Sequence, residues 1–355
     1  MDLWDWQHNH GAKRQILSLK PVDFQDINGW TVDDQAEALN ALKKSASLQG
    51  SGDRPFKFFQ AALDCDPIRA RAFFERYFSA YSVAPPHNLG LLTGYFEPEL
   101  QAADAPSSDY LQPVYSRPAD LALAGPKDAI ARQQPPLTAG RRTDGELVPY
   151  FTRGEIDAGA LNGQNLEVAY AADPIDLFIM HVQGGGVLQF PDGSRRVTFA
   201  GKNGHPYTSI AKLLIERGEL DAGNASLDTL LQWLRADLGR AQALMRENAS
   251  YIFFDMLPNG ADAPTGSLGA PLTAGRSLAI DPGFHTPGLP IWVSAPDLTF
   301  DGQVFARLMV AQDTGSAIRG AARGDVFCGT GAAAGRIAGR IKHDCTFFVL
   351  TPKSE

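Results

Sequence analysis

Apolar positions in the first hundred residues are spaced for helices. Asp66 and Pro67 indicate one helix start, as N-cap and first helical residue. The apolar face predicted for that helix contains Phe74, Tyr77, Phe78 and Tyr81. An earlier start is indicated by Thr31-Val-Asp-Asp34, a candidate capping box that precedes Ala36, Leu39 and Leu42. The segment Leu91–Leu100 then predicts a short strand.

After about residue 100 the pattern changes to short apolar runs separated by proline and glycine, which indicates β structure. The first such runs are Val114-Tyr115, Val148–Phe151, Leu177–Val182 and Val187–Phe190. Pro191-Asp-Gly193 predicts a tight turn between Val187–Phe190 and Arg196–Phe199. Two helices are predicted next, over Tyr207–Arg217 and Ser226–Glu247. The later elements are predicted strands at Tyr251–Phe254, Ser277–Ile280, Pro290–Val293, Phe305–Val310, Asp325–Phe327 and Thr346–Leu350, and a helix at Ala332–Ile341.

Length, charge and hydropathy exclude several classes of protein. At 355 residues the chain is longer than one hydrophobic core usually grows, so two domains are expected. The formal net charge is −8 and no basic stripe occurs, which argues against a nucleic-acid-binding protein. The longest apolar runs fall far short of the ~20 residues that a membrane-spanning helix needs. The first residues, Met1–His8, lack the apolar region of a signal peptide.

Sequence signatures of metal, nucleotide and serine chemistry are missing. Cys65, Cys328 and Cys345 share no metal-ligand spacing, and no His-x-x-x-His pair occurs. The residues neither require nor exclude a single disulfide bridge between two of these cysteines. Gly329–Gly335 follows a predicted strand, but too little chain remains after it for a dinucleotide-binding domain. No Gly-x-Ser-x-Gly elbow is present. We therefore predict neither a metal nor a cofactor.

Three aspartates lie at the ends of predicted strands beside glycine-rich turns. Asp313 follows one strand, Asp325 opens the next, and Asp281 ends an earlier one. Such carboxylates can line a cleft, since small neighbours leave room for a ligand. Aspartate and glycine also form ordinary turns, so from the residues alone both interpretations stay open.

A second group of polar residues lies beside glycines in the middle of the chain. Gln183, Asn203 and Tyr207 offer amide and hydroxyl groups of the kind that recognise sugars. The alternative is that Asn203-Gly204 forms a turn and that Tyr207 is a core aromatic residue.

Three ordered segments together carry a family resemblance. They are Leu92-Thr-Gly-Tyr-Phe-Glu-Pro98, the stretch Phe178–Tyr207, and the C-terminal block from Asp281 through Asp313 to Asp325. They resemble the membrane-bound lytic murein transglycosylase A family, with its C-terminal three-aspartate domain. The resemblance implies a mainly β fold with flanking helices. In that fold, residues 1–105 and 250–355 form a double-psi β-barrel domain, residues 106–249 form an inserted second β-barrel, and a glycan groove lies between them.

The same resemblance implies cleavage of the β-1,4 bond between N-acetylmuramic acid and N-acetylglucosamine in peptidoglycan, with a 1,6-anhydro product. The muramyl C6 hydroxyl attacks in place of water, so one carboxyl group can act first as acid and then as base. Asp325 matches the acid/base position, and burial or the charge of Asp313 must then raise its pKa. Substrate contacts are expected from Thr93, Gly94, Tyr95, Gln183, Gly184, Asn203, Gly204, Tyr207, Asp281 and Gly315.

Two other functions stay open on sequence grounds. One is a two-carboxylate glycoside hydrolase with Asp313 as base or nucleophile, and the other is a non-catalytic glycan-binding module. We expect a monomer that acts on peptidoglycan glycan strands. By resemblance we place it in the periplasm or at the outer-membrane periphery, on the assumption that the N-terminus, which shows no lipid-attachment cysteine, is incomplete or processed.

Overall fold

A computed structural model describes residues 18–48, 57–83, 90–258 and 260–353. The segment Met1–His8, where no signal peptide is predicted, lies outside these residues. The chain divides into two units. The barrel unit contains the described parts of Met1–Phe96, Thr265–Gly329 and Ile337–Glu355, and the inserted unit contains the described parts of Glu97–Pro264 and Thr330–Arg336. The sequence analysis also expects a central domain inserted into the other one. The catalytic role expected of the outer domain and the substrate-groove role expected of the inserted domain stay predictions.

The described residues form strands and short helices throughout both units. The strands are β1 (Leu19–Val22), β2 (Phe78–Val83), β3 (Gly90–Glu97), β4 (Glu99–Ala103), β5 (Gln112–Tyr115), β6 (Leu121–Leu123), β7 (Ala139–Thr143), β8 (Glu146–Pro149), β9 (Glu167–Ala171), β10 (Gly185–Phe190), β11 (Gly193–Lys202), β12 (Ile252–Met256), β13 (Ser277–Ile280), β14 (Pro290–Phe300), β15 (Gln303–Thr314), β16 (Arg323–Thr330) and β17 (Lys342–Pro352). The α-helices are α1 (Gln35–Ala46), α2 (Lys57–Leu63), α3 (Ala70–Tyr77), α4 (Arg153–Asp157), α5 (Pro174–Gln183), α6 (Ile210–Glu216), α7 (Leu227–Ala236), α8 (Leu238–Arg246) and α9 (Gly331–Ala338). Short 3₁₀ helices cover Phe24–Asp26, Pro67–Arg69, Ala129–Arg132 and Ala222–Asn224.

The barrel unit is built on a sheet that closes on itself. Its strand order is β1-β2-β17-β14-β15-β13-β16-β3, and a further pairing of β17 with β3 closes the last six strands into a barrel. Most of the recorded pairs are antiparallel, but β13 runs parallel to β15. Closure leaves these six strands without a free edge and fixes which residues of neighbouring strands lie side by side.

A largely aromatic core lies between the barrel and the helices of the same unit. Trp30 and Trp292 have ring centroids 5.3 Å apart and are both fully buried. The apolar faces of α1 and α3 join them, together with Leu308 and Val310 of β15. Burial of this apolar surface, at about 25 cal/mol per Å², is the main term that holds the barrel unit together.

Two helix limits in the barrel unit differ from the sequence prediction. The predicted capping box at Thr31–Asp34 is wrong, because α1 starts at Gln35 with Asp34 as N-cap. Asp33 is held instead by a buried ion pair of 2.9 Å with Arg276. The predicted helical face through Tyr81 is also wrong, since α3 ends at Tyr77. The following residues form β2, which pairs with β17, so strand pairing overrides the local helical spacing.

The inserted unit contains two sheets. The larger has the order β12-β11-β10-β4-β9-β5, and the smaller has the order β6-β7-β8. The predicted hairpin is confirmed: β10 and β11 pair antiparallel, with Phe190 opposite Gly193 across the two-residue turn. This unit has its own core, which includes Leu100, Met180 and Phe254.

Two predictions of secondary structure in the inserted unit are corrected. Leu177–Val182, included among the β runs, lies in α5, which begins after the N-cap Asp173 and ends at Gly184 with φ 85°. A short apolar run does not distinguish a buried strand from a buried helix. The helix predicted over Ser226–Glu247 is two helices, because Asp237 has extended backbone and caps the second one.

The predicted fold class is confirmed: the chain is mainly β with flanking helices, a barrel formed by both ends of the described chain, and an inserted β unit. None of the helices in the described ranges has the length and apolar character needed to cross a bilayer.

Candidate active site

Asp313 and Asp325 flank one residue of the strand between them. Ala279 of β13 is in register with Asp313 of β15 on one side and with Asp325 of β16 on the other. Residues in register share a face of the sheet, so both carboxyl groups lie on the face that carries the Ala279 methyl group. Two strand spacings put the Cα atoms of the two aspartates about 10 Å apart, with only this small side chain between them.

One oxygen of Asp325 is hydrogen-bonded to Thr93, and Thr93 is in turn hydrogen-bonded to Arg323. Thr93 Oγ1 lies 2.6 Å from Asp325 Oδ1, and Arg323 Nη2 donates to the same hydroxyl oxygen at 2.8 Å. A guanidinium can only donate and an ionised carboxylate can only accept, so with Asp325 ionised the hydroxyl proton of Thr93 points to Asp325. Among the described residues none donates to Asp325 Oδ2. These three residues, Thr93, Arg323 and Asp325, form what we call the acid site.

The pKa of Asp325 is raised from 3.8 to about 6. Burial is the largest cause, because removal of water disfavours the charged carboxylate. The hydrogen bond from Thr93 and the positive charge of Arg323 act in the opposite direction, and the charge of Asp313 adds a smaller increase. A carboxyl group with this pKa is populated in both protonation states near neutral pH, as a group that must donate and then accept a proton requires.

Both carboxylate oxygens of Asp313 accept hydrogen bonds from the protein. Its Oδ1 accepts from the backbone N–H groups of Ser267 and Thr314, each at 2.8 Å, and its Oδ2 accepts from the Tyr95 hydroxyl at 2.8 Å. Burial raises its pKa, and these donors oppose that change. Burial and Asp313 raise the pKa of Tyr95 well above 10, so the phenol keeps its proton and remains the donor. The Tyr95 ring lies against Phe327, with centroids 5.4 Å apart.

The third aspartate organises a loop. Asp281 is 6% exposed, and its two oxygens accept from the backbone N–H groups of Gly283 at 3.0 Å and Gly320 at 2.8 Å. It therefore connects the end of β13 to the turn that leads into β16. In this geometry Asp281 positions the strand that carries Asp325.

The predicted glycines of the barrel unit allow close approach of chain segments. A Cβ atom on Gly94 would lie 2.8 Å from the Ala338 Cα, and one on Gly315 would lie 2.9 Å from the Ile318 side chain. Gly94 follows Thr93 directly, so the close contact that it permits also fixes the position of the Thr93 hydroxyl.

In the inserted unit, Asn203 and Gly204 form one buried connection. Asn203 is 0% exposed, and its amide nitrogen donates to the carbonyls of Phe151 and Ala249, both at 2.8 Å. Its Oδ1 accepts from the Tyr251 N–H at 2.9 Å. Gly204 has φ 90°, and a Cβ there would lie 2.2 Å from the Ala139 carbonyl oxygen. The geometry supports a structural role for both residues, and direct contact with substrate stays a prediction.

The remaining predicted residues of the inserted unit lie nearer its surface. Gln183 is the last residue of α5, and Gly184 caps that helix in the left-handed conformation. Tyr207 is 39% exposed. The structure thus brings Thr93, Tyr95, Asp313 and Asp325 together in the barrel unit, while Gln183, Gly184, Asn203, Gly204 and Tyr207 belong to the inserted unit.

Sequence reasoning missed Arg323 and Ser267. Arg323 precedes Asp325 by two positions in β16, and the period of a strand puts both side chains on one face. That spacing could have identified it. Ser267 acts through its backbone N–H from an irregular segment, for which the sequence contains no signal. Cys328 lies further along β16, and burial raises the pKa of its thiol to about 12, so it is an inert buried thiol.

Comparison with known proteins gives two matches to family models. The MltA specific insert domain matches residues 91–255, and the 3D domain matches residues 276–351. The first match covers most of the inserted unit, and the second covers the strands that carry Asp313 and Asp325.

Curated relatives cover most of this chain. Membrane-bound lytic murein transglycosylase A of Escherichia coli strain K12 is 32% identical over 358 residues, covering 97% of this chain and 88% of that protein. The Vibrio cholerae protein of the same name is 36% identical over 260 residues, covering 71% of this chain and 63% of that protein, so this match spans less than two thirds of the relative. The crystal structure of membrane-bound lytic murein transglycosylase from Agrobacterium tumefaciens has a TM-score of 0.86 at 36% identity, covering 94% of this chain and 98% of that one.

Proposed function

The chain belongs to the membrane-bound lytic murein transglycosylase A family, and on this basis we propose how it cleaves peptidoglycan. The enzyme is a lytic transglycosylase that breaks the β-1,4 bond between N-acetylmuramic acid and N-acetylglucosamine. Asp325 is its single acid/base group. The product carries a 1,6-anhydro-N-acetylmuramic acid end, and no water is consumed.

The observation that carries this proposal is the acid site itself. Asp325 combines one oxygen committed to Thr93, a second oxygen with no donor among the described residues, and a pKa near 6. We place the proton of the neutral acid on Oδ2, so that Thr93, whose hydroxyl oxygen accepts from Arg323, keeps donating to Oδ1. The proton that is transferred in the reaction is then on the oxygen that has no hydrogen-bond partner among the described residues.

The first half of the reaction uses Asp325 as an acid. Oδ2 gives its proton to the glycosidic oxygen as the bond between that oxygen and the muramyl C1 breaks. The leaving sugar departs with a new hydroxyl group, and positive charge develops on the muramyl ring. Asp325 is left as a carboxylate, which the Thr93 hydroxyl and the nearby Arg323 charge stabilise.

The second half uses the same carboxylate as a base. The muramyl C6 hydroxyl oxygen forms a bond to C1, and its proton passes to Asp325 Oδ2. Asp325 thus returns to its starting state, and atoms balance without water or a second protein nucleophile. The attacking group is tethered to the reacting ring, and this proximity replaces the second carboxylate of an ordinary glycosidase.

The surroundings of Asp313 support one carboxyl group rather than two. Both of its oxygens already accept hydrogen bonds, from Tyr95, Ser267 and Thr314. A base or nucleophile needs a free oxygen lone pair directed at water or at the sugar carbon. Asp313 instead fixes Tyr95, and we assign it a positioning role. The Tyr95 ring, Thr93 and the exposed Tyr207 are the side chains we propose for contact with the glycan.

The name of the relatives places them at a membrane, and we propose that this enzyme also works there, on the periplasmic side, where peptidoglycan lies. The monomeric state expected from the sequence remains a prediction.

The decisive experiment is mass spectrometry of soluble products after incubation with purified peptidoglycan. We expect muropeptides one water lighter than hydrolysis products, and none of these with Asp325→Asn. Products of full hydrolytic mass would instead indicate a two-carboxylate hydrolase. Co-sedimentation with peptidoglycan in the absence of products would indicate a binding module.

A further inference from the structure

A cavity of about 460 Å³ lies within the inserted unit, and the function proposed above does not use it. All of its lining residues fall between Leu111 and Tyr251, so the cavity belongs to this unit alone. Two of them, Arg153 of α4 and His181 of α5, are 4% and 5% exposed. We call Arg153, His181 and Tyr251 the arginine–histidine cluster.

Hydrogen bonding in this cluster fixes the proton on His181. Arg153 Nη1 lies 3.0 Å from His181 Nδ1, and a guanidinium can only donate, so Nδ1 accepts. Burial and the charge of Arg153 hold the pKa of His181 well below its usual value, so the ring is neutral. A neutral imidazole with an accepting Nδ1 carries its proton on Nε2. His181 Nε2 is therefore a hydrogen-bond donor.

Two buried donors in this cluster lack an acceptor. Within the described residues, His181 Nε2 and Arg153 Nε have no hydrogen-bond partner. Arg153 Nη2 donates to the Ser250 carbonyl at 2.9 Å, and the guanidinium lies over the rings of Phe178 at 4.8 Å and Tyr251 at 5.0 Å. The described part of the chain offers this guanidinium no carboxylate within 4.0 Å. Asp157 acts on Arg153 only as a more distant charge, so burial of this guanidinium, with Arg153 Nε and His181 Nε2 lacking acceptors among the described residues, is costly.

The rest of the lining holds one basic and two acidic residues. Arg246 and Asp157 also line the cavity and lie 3.5 Å apart, and Glu167 adds a second acid. A purely anionic ligand would meet repulsion from these acids. A ligand that carries both a carboxylate and an ammonium group would complement both halves of the lining.

We propose that this cavity binds an amino-acid zwitterion, with its carboxylate on the side of the lining formed by Arg153 and His181 and its ammonium group toward Asp157 and Glu167. The source of the ligand rests on the function proposed above, since the carboxylates and ammonium groups of peptidoglycan are in its peptide stems. A stem with a diamino acid carries both groups. The cavity is then a peptide-stem site, separate in chemistry from the cleavage of the glycan bond.

The test is isothermal titration calorimetry of the full chain with the stem tripeptide L-alanyl-γ-D-glutamyl-meso-diaminopimelate. We expect one site per chain, and about tenfold weaker binding of the tripeptide with its carboxylates converted to carboxamides, because charge-assisted hydrogen bonds are lost. Free meso-diaminopimelate is titrated in parallel to distinguish a stem peptide from a free amino acid as the ligand.

Variants separate this site from a general loss of folding. Arg153→Gln should weaken tripeptide binding about tenfold or more, whereas Arg142→Gln, an exposed arginine of the same unit, should leave it unchanged. If Arg153→Gln does not fold, Asn162→Trp serves instead, since Asn162 is exposed and lines the cavity, and a bulky ring there should block entry. Absence of binding to the wild type, or equal binding to all variants, overturns the proposal.

Product analysis on peptide-free glycan strands distinguishes failure of this inference from failure of the proposed function. Anhydro products without tripeptide binding would refute the stem site and retain the transglycosylase. Tripeptide binding with the expected dependence on Arg153, but with no cleavage of any glycan, would retain the site and refute the proposed activity.

Discussion

The acid site of the barrel unit and the arginine–histidine cluster of the inserted unit each contain a buried titratable group, and burial shifts the pKa values of the two groups in opposite directions. At Asp325, burial favours the neutral acid and raises the pKa to about 6. At His181, burial favours the neutral base and holds the pKa well below its usual value. The same physical effect, loss of water around a charge, thus makes one group reactive near neutral pH and makes the other inert.

The two regions also differ in how many of their buried polar atoms have hydrogen-bond partners. The acid site is ordered by Thr93 and Arg323, which leave one carboxyl oxygen for the substrate. The arginine–histidine cluster keeps two buried donors without acceptors. The comparison teaches that burial alone does not determine what a polar group can do, because the hydrogen bonds around the group decide which of its atoms are left without a partner.

The largest expected effect concerns Asp325 in the acid site. Asp325→Asn removes the group that we propose donates and then accepts the proton, so we expect the rate of product formation to fall by about a thousandfold. The rate is measured from anhydro-muropeptides released from purified peptidoglycan. Asp297→Asn, an exposed aspartate of the same unit, is the matched control and should keep wild-type activity. Comparable loss in both variants would remove Asp325 from its assigned role.

The same substitution should stabilise the protein. The folded-state pKa of Asp325 is raised above the unfolded value, so its ionisation destabilises the fold as pH rises from about 4 through about 6. At pH 8 we expect Asp325→Asn to raise the free energy of unfolding by about 1–3 kcal/mol, and at pH 4 to change it little. Urea unfolding at the two pH values measures this difference. An equal effect at both would contradict a raised pKa.

A smaller effect is expected from Thr93→Val, which removes the hydroxyl donor from Asp325. Without that bond the carboxylate is less stable, so the pKa of Asp325 rises above about 6. The protonated acid starts the reaction, so kcat/KM declines above that pKa, and the decline should move to higher pH. We expect activity to fall about tenfold through loss of orientation. Thr299→Val, on an exposed position of β14, should leave the pH profile in place.

The smallest expected effect concerns His181 in the arginine–histidine cluster. The folded-state pKa of His181 is depressed, so the unfolded chain takes up a proton that the folded chain does not, and stability falls as pH drops from 7 to 5. This slope, at most about 1.4 kcal/mol per pH unit, should be absent in His181→Gln. Hydrogen exchange of the inserted unit at pH 7 and pH 5 measures it. A slope that persists in the variant would assign the pH dependence to another group.

The sequence predicts local elements of the barrel unit better than it predicts the environment of Asp325. Ser277–Ile280 is a strand with the predicted limits, and the turn at Pro191–Gly193 joins the predicted pair. These elements depend on local alternation and on turn residues, which are properties of neighbouring positions. The family resemblance points to Asp325 and implies that its pKa is raised, but only the structure shows that burial is a larger cause than the charge of Asp313.

Other features depend on contacts between distant parts of the chain. The change from α3 to β2 at Phe78 occurs because β17 offers a pairing partner, and local helical spacing gives no sign of it. Asn203 has the composition of a sugar-binding residue, yet its amide is used by three backbone groups from other segments. Arg153 and His181 are 28 positions apart, so their pairing requires the fold.

The closure of the barrel by β3 and β17 also sets when the enzyme can first act during its synthesis. Thr93 and Asp325 are separated by 232 positions, and Tyr95 and Asp313 by 218. Such long-range contacts form late, because the intervening chain must be made and folded first. A ribosome-bound chain that ends before β16 lacks the acid, and one that ends before β17 lacks the strand that joins β14 to β3. The acid site is thus incomplete until β16 has been synthesised, and the barrel stays open until β17 follows.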